Sequence, residues 1–431
     1  MREMKDSGIE WVGAIPQDWQ LSKIGSLYTQ RNEKVSDKDY QPLSVTMQGI
    51  LPQLATAAKT DDGDNRKLVR VGDFAINSRS DRRGSCGISP LDGSVSLINI
   101  ILTPRTAMHP GYYNWLFHTT LFADEFYKWG HGIVADLWTT RWQEMKSITV
   151  LVPEYAEQER IAAFLDAECA EIDTVLEKTR ASIEEYKKLK QAVITQVVTK
   201  GIRGDRPMKN SGIEWIGDIP AEWKVASIGR FCFVTKLAGF EFTNDMMSNI
   251  QDSGDIPIVR AQNIKMGKFI NNISEFIPYR ISQKLERCAL NRKCLIITFI
   301  GAGIGEVAIF NEPKRYHLAP NVAKIVINVG MEHFVTEEYL LYFLMSFAGQ
   351  EEINKIKKAT AQPSLSMGTI RSIKMVLPDS IEEQSEIVSY LDMRCASIDA
   401  LIAKKQQYLI EIENYKKSLI YEYVTGKKEV V

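Results

Sequence analysis

Met4-Lys5-Asp6-Ser7-Gly8-Ile9-Glu10-Trp11-Val12-Gly13-Ala14-Ile15-Pro16 returns 204 positions later as Met208-Lys209-Asn210-Ser211-Gly212-Ile213-Glu214-Trp215-Ile216-Gly217-Asp218-Ile219-Pro220. Trp19 and Trp223 follow the two copies at the same distance. A second repeat lies further on. Glu157-Gln158-Glu159-Arg160-Ile161 matches Glu383-Gln384-Ser385-Glu386-Ile387, and this match runs without a gap to Val198-Thr199 and Val424-Thr425, at an offset of 226. The order is therefore globule, helix, globule, helix. A chain duplicated in this way predicts a pseudo-symmetric object with two related but unequal working faces.

The two helical stretches carry a seven-residue apolar pattern. In the first, one column reads Leu165, Ile172, Thr179, Tyr186, Val193, and the other Ala162, Cys169, Leu176, Ile183, Lys190, Val197. The second copy gives Leu391, Ile398, Lys405, Ile412, Leu419 and Val388, Cys395, Ile402, Leu409, Lys416, Tyr423. Such a pattern is a coiled-coil signal. Forty-odd helical residues span roughly 65 Å, more than either globule needs for its own core. The polar breaks fall in the same slots of both copies, Thr179 with Lys405 and Lys190 with Lys416. Polar seam residues fix register and partner number. The simplest partner of each helix is the other, antiparallel across the internal two-fold; two independent surface helices are the alternative.

At 431 residues the chain exceeds one core. The expected segments are a first globule at 1–154, a helix at 155–200, a linker at 201–207, a second globule at 208–380, a second helix at 381–426 and a tail at 427–431. The charged N-terminus and the lack of a long apolar run predict neither signal peptide nor membrane span. Six cysteines without a CxxC pair suit a reducing cytoplasm. A net charge of −1 weighs against a non-specific nucleic-acid coat, though not against local basic loops.

Between the repeats, 30–156 and 231–382 diverge, and both read as mixed strands and loops, which makes the fold class α+β. Leu68-Val69-Arg70-Val71-Gly72-Asp73-Phe74-Ala75-Ile76, Cys294-Leu295-Ile296-Ile297-Thr298-Phe299-Ile300 and Ala323-Lys324-Ile325-Val326-Ile327 are strand-like. An aromatic-rich helix is expected at 112–129 and at 337–358. Each globule closes on a short strand ending in Pro153 or Pro378.

The frame repeats while the content changes, as expected of two readers of different ligands. Arg79-Ser80-Asp81-Arg82-Arg83-Gly84-Ser85 follows a strand directly. Arginine's fork fits guanine O6 and N7, and Ser and Gly let a backbone approach phosphate, so Arg79, Ser80, Arg82, Arg83 and Ser85 are candidate DNA contacts. The alternative is a solvated charged turn. In the second globule Arg260, Gln262 and Asn263 offer forks and amides for base edges, and Lys314-Arg315-Tyr316-His317 offers backbone contacts. Thr139 and Arg141, with Gln362 and Ser364 at the matching place, form a candidate second loop in each globule. Gly301-Ala302-Gly303-Ile304-Gly305-Glu306 follows a strand but precedes another, so it reads as a glycine-rich hairpin and not a dinucleotide loop.

No G-x-x-x-x-G-K-[ST] loop and no Asn/Asp-Pro-Pro-aromatic signature of base amino methylation occur. The five histidines lack metal-ligand spacing. The expectation is a non-catalytic chain without cofactor or metal.

These residues together resemble the specificity subunit of type I DNA restriction–modification systems. The resemblance rests on the doubled Ser-Gly-Ile-Glu-Trp-x-Gly-x-Ile-Pro, the Pro…Glu-Gln-x-x-Ile helix starts and the Val-Thr near each helix end. It implies two target recognition domains, each reading half of a split double-stranded DNA site, with the paired helices as spacer. Seam residues Leu165, Ile172, Leu176, Ile183, Leu391, Ile398, Ile402 and Leu409 would hold that spacer together. It also implies docking of two modification (methyltransferase) subunits and of ATP-dependent motor–nuclease restriction subunits, in the cytoplasm, directing adenine methylation and restriction. Two other readings stay open. One is the specificity chain of a related system with a fused methyltransferase–nuclease partner, and the other a bivalent coiled-coil adaptor that binds proteins.

Overall fold

The computed structural model describes residues 2–54, 63–132, 138–358 and 364–430. The chain divides into two compact units, Met1–Arg180 with Gln406–Val431, and Ala181–Lys405. The division falls inside both long helices, Tyr155–Lys200 and Ile381–Val424, and not at the 201–207 linker. The cores explain why. The first unit buries Leu419 and Val424 beside Trp19, Phe74 and Leu165, and the second buries Ile194, Val197 and Val198 beside Trp223 and Leu391. Each globule thus takes the start of the helix that follows it and the end of the other helix.

In the first unit the opening motif is a hairpin, Met4–Asp6 against Ala14–Pro16, with Met4 opposite Pro16. Asp6 accepts the Gly8 amide proton at 3.0 Å, and Gly8 and Gly13 sit at φ +68° and +70°, a backbone that glycine adopts readily and that strains a residue with a side chain. A four-stranded antiparallel sheet follows, ordered Cys86–Ile88, Phe74–Asn77, Asn99–Pro104, Tyr28–Arg31. The expected strand at 68–76 is two strands in two sheets. Arg66–Val69 pairs with Gly93–Val95, and the chain then turns at Gly72, φ +86°, before Phe74. The aromatic helix is also split, into Pro110–Phe117 and Thr120–Lys128, because the Thr119 hydroxyl accepts from the Phe122 amide and caps a new start. Its rings, with Tyr28 and Phe74, fill the space between sheet and long helix.

The second unit repeats this plan. Met208–Asn210 pairs with Asp218–Pro220, Gly212 and Gly217 take φ +74° and +66°, and Asn210 accepts from the Gly212 amide at 2.8 Å. Its main sheet is ordered Val307–Phe310, Cys294–Thr298, Val322–Ile327, Cys232–Lys236. Glu337–Met345 and Phe347–Lys358 replace one expected helix, the break lying at Ser346, whose hydroxyl accepts from the Gly349 amide. The closing strands Thr149–Val152 and Lys374–Leu377 each pair with the strand that follows the opening motif.

The repeated Glu-Gln at each helix start has a structural reason. Glu157 accepts from the Trp19 indole at 2.8 Å and pairs with Arg2; Glu383 accepts from the Trp223 indole at 3.1 Å and pairs with Arg206 at 2.8 Å. Gln158 accepts the His109 amide and donates to the Pro153 carbonyl, while Gln384 accepts the Thr336 amide and donates to the Phe334 carbonyl. One side chain therefore locks the opening motif, and the next locks the aromatic helices.

Within each unit the helix segments run antiparallel. Arg180 meets Glu413 while Asp173 meets Lys416 in the first, and Tyr186 lies under Lys405 while Lys190 meets Asp399 in the second. Of the seam residues, Leu165, Leu176, Ile183, Leu391 and Ile398 are buried, and Ile172, Ile402 and Leu409 half-buried. The seam also buries Thr179, midway along the first helix. Cys169 and Cys395 are buried in it, and burial raises the Cys169 thiol to about 11, which leaves it a packing group.

Candidate nucleic-acid interface

In the first unit, strand Phe74–Asn77 leads into the turn Ser80–Arg82 and back along Cys86–Ile88. The turn is held from below. The Tyr127 hydroxyl lies 2.9 Å from the Asn77 carbonyl and 3.3 Å from that of Arg82, and burial pushes this phenol's pKa upward, so it stays a donor. From the side, Arg79 forms a bridge with Thr139, and the Ser80 amide donates to the Trp138 carbonyl at 2.9 Å. The two loops singled out in the sequence are thus adjacent.

Beside the turn lies an open groove of about 690 Å³. Its lining takes Asp81, Arg82, Arg83 and Ser85 from the turn, Asn77 and Asn99 from the sheet, and Leu43 to Met47 with Gln53 and Leu54 from the hairpin Leu43–Thr46/Gly49–Pro52 and its flanks. Asn99 Oδ1 is buried there without a hydrogen-bond partner among the described residues. Arg79, Arg82, Arg83 and Arg141 are exposed. Arg83 pairs with Asp124 and Arg82 lies 3.8 Å from Asp81, while among the described residues no side chain engages the guanidinium of Arg79 or Arg141. Ser85 is buried and supports the turn from inside. Arg66 lines the groove but is spent internally on Ser94, donating to its hydroxyl and carbonyl at 2.9 Å.

The second unit distributes the sequence candidates differently. Asn263 is buried: its carboxamide accepts the Arg260 amide at 2.9 Å and donates to the carbonyls of Ile270 and Asn272. It is a turn brace, and with both amide hydrogens used it cannot make the paired donor–acceptor contact that an adenine edge requires. Arg260 is held by Glu275, and Arg315 by Glu286 and Ser282 with its guanidinium over Tyr279. Tyr316 and His317 are buried strand residues, His317 with its ring nitrogens 3.0 Å and 3.3 Å from the Leu318 and Leu285 carbonyls. Lys314 and Gln262 are exposed and unpaired among the described residues, and Ser364 bridges to Ile300. Gln362 lies outside the described residues.

Sequence reasoning missed the groove lining contributed by 43–54, where nothing in Met47, Gln53 or Leu54 marks a neighbour of the arginine turn. Its place follows only from strand pairing. Among the described residues no group of three or more His, Cys, Asp or Glu is placed to hold a metal, and no helix is long and apolar enough to cross a membrane.

The family described as the type I restriction modification DNA specificity domain matches residues 220–414. The type I restriction enzyme MjaVIII specificity subunit of Methanocaldococcus jannaschii is 23% identical over 434 residues, covering 96% of this chain and 94% of that protein. The EcoKI specificity subunit of Escherichia coli is 21% identical, with 96% and 90% covered. Among solved structures, a chain from work on complex assembly and conformational transition of the type I R-M system superposes with a TM-score of 0.73 at 13% identity, covering 96% of this chain and 99% of that one. The HsdS subunit from Thermoanaerobacter tengcongensis gives 0.52 at 15% identity, with 98% and 100% covered. These superpositions show a shared fold.

Proposed function

We propose that this chain, which belongs to the family of type I restriction–modification specificity subunits, reads an asymmetric, two-part target on double-stranded DNA. It directs adenine methylation and restriction by partner subunits and carries out no chemistry itself. The observation that carries the reading is the arginine turn. Arg82 and Arg83 stand exposed along an open groove, and Arg79 is exposed at the start of the same turn, which is clamped by Tyr127 and by the Trp138–Thr139 segment. Forked donors on a rigid turn suit guanine edges and phosphate oxygens. With a net charge of −1, the chain is suited to adding specificity while partners supply most of the phosphate neutralisation. Two modification subunits and the restriction subunits are the partners in this reading, the cytoplasm is the location, and the long helices set the gap between half-sites.

The experiment is selection from a duplex library with a randomised centre by the chain co-purified with its partners. A split consensus is expected. Exchange of 30–150 for another such domain changes one half and spares the other. Arg82→Ala loses about 1–3 kcal/mol of discrimination in that half. Four residues inserted after Arg180, about one helical turn, change the gap or abolish selection. An unselective library, or a consensus indifferent to the exchange, overturns the reading in favour of a protein adaptor.

A further inference from the structure

The sheets of the two units have the same order, and their junctions can be matched atom by atom. The Asn77 amide donates to the Ser85 carbonyl at 2.9 Å, and the Thr298 amide to that of Glu306 at 2.9 Å. The Ser85 amide donates to the Arg82 carbonyl at 3.0 Å, and the Glu306 amide to that of Gly303 at 2.9 Å. Ser78 donates to Ile98 at 3.4 Å, and Phe299 to Asn321 at 3.2 Å. Arg79 bridges to Thr139, and Ile300 to Ser364. Gly84 has φ +76° and Gly305 φ +94°. The glycine hairpin is thus the counterpart of the arginine turn, equal in length. Arg79-Ser80-Asp81-Arg82-Arg83-Gly84-Ser85 occupies the slot of Ile300-Gly301-Ala302-Gly303-Ile304-Gly305-Glu306. Every charge before the shared glycine is gone.

We infer that this glycine turn, with Gln262 and Asn321, is the base-reading surface of the second unit, and that it takes an adenine-bearing edge where the first unit uses arginine. The inference rests on the proposed function and replaces Arg260, Asn263 and Arg315 as readers. An open groove of about 360 Å³ lies against the turn, lined by Gln262, Lys265, Gly301, Ala302, Glu306 and Asn321 among others. Gln262 is exposed with no partner among the described residues, and Asn321 Oδ1 is buried without one. A carboxamide offers the donor and acceptor that adenine N7 and N6 require as a pair, and an unsatisfied acceptor is met by the base amino group. Lys265 lies 3.5 Å from Glu306, so the groove holds compensated charge. Gly301 and Gly303 bring backbone amides to the groove without side chains in the way, and the Gln350 amide holds the turn through the Gly305 carbonyl at 3.2 Å.

The test repeats the library selection with the full chain and its partners, comparing wild type with Gln262→Ala, Asn321→Ala, Ala302→Asp and Arg82→Ala. Gln262→Ala is expected to lose about 5- to 150-fold preference for adenine at one base pair of one half-site. Asn321→Ala should weaken the same half. Ala302→Asp, a carboxylate at an exposed turn, should abolish selection there while the half weakened by Arg82→Ala persists. That persistence also shows that the variants fold. Full retention of both halves in the three second-unit variants overturns the inference and leaves the function standing. The same follows if they damage the half that depends on Arg82. A wild-type chain that selects nothing overturns both.

Discussion

Lys416 reaches Asp173 across the helices of the first unit, its Nζ 2.6 and 2.7 Å from the two carboxylate oxygens. In the second unit Lys190 meets Asp399 at 2.8 and 2.6 Å. Both lysines and both aspartates are separated by 226 positions, so the internal repeat maps one pair onto the other. Each half of the duplication answers its polar seam residue with an acid from the partner helix.

The aspartates are about half exposed, and such pairs contribute only about 0.2–1 kcal/mol. Lys416→Met should therefore change thermal stability by less than about 1 kcal/mol. Lys416→Glu should cost more, and adding Asp173→Lys should restore most of it. A double-mutant cycle on thermal melting checks this. A coupling several times larger would mean that the pair carries stability rather than register.

The carboxylates at the helix starts behave differently because they are buried. Glu383→Ala strands the Trp223 indole N–H and leaves the Arg206 guanidinium with Glu222 alone, and the expected cost is about 1–3 kcal/mol. Glu383→Gln, which keeps an acceptor for the indole, should cost less. Glu157→Ala should act alike on the first unit. Urea unfolding followed by tryptophan fluorescence measures both, and a loss under 1 kcal/mol would contradict the assigned role.

Leu419→Ala lies in the last turns of the second helix, yet should destabilise the first globule. Its side chain sits in that core, which also holds Tyr112, whose hydroxyl donates to the Val424 carbonyl at 2.8 Å. A buried Leu→Ala costs about 2–5 kcal/mol. Hydrogen exchange should accelerate at 110–117 and spare 294–298; the opposite pattern would refute the shared core.

Burial holds His317 below its ordinary value near 6.5, and Arg315 and Lys324 act in the same direction. Above pH 6.5 the ring is neutral in both folded and unfolded chains. As pH falls below that, the unfolded chain takes up the proton first, so stability declines until the folded-state value is passed. The urea midpoint of the second unit should fall more steeply from pH 7 to 5 in wild type than in His317→Gln. Parallel curves would exclude the histidine.

Most of the frame was legible because it is written twice. The seam columns, the Trp and Glu-Gln pairs and the closing strands repeat in sequence, and each has a partner in the structure. The strand at 68–76 was misread because apolar alternation runs through Gly72, and only its positive φ reveals the corner. The candidate site was legible only where charge marks it. Arginines on a turn declare themselves by charge, whereas the glycine turn shares with them only its length, one glycine and its hydrogen-bond pattern, too little to align the two in sequence. Asn263 and Arg315 looked free in sequence because their internal acceptors, Ile270, Asn272 and Ser282, lie on other elements.

Leu419 and Val424 also impose an order of events during synthesis. The first globule leaves the ribosome early, but the residues that complete its core are translated only after the whole of the second globule. Until then its aromatic helices carry an uncovered apolar flank, while the second globule already has Ile194, Val197 and Val198 from the helix made before it. Although second in the chain, that globule is the first able to finish folding.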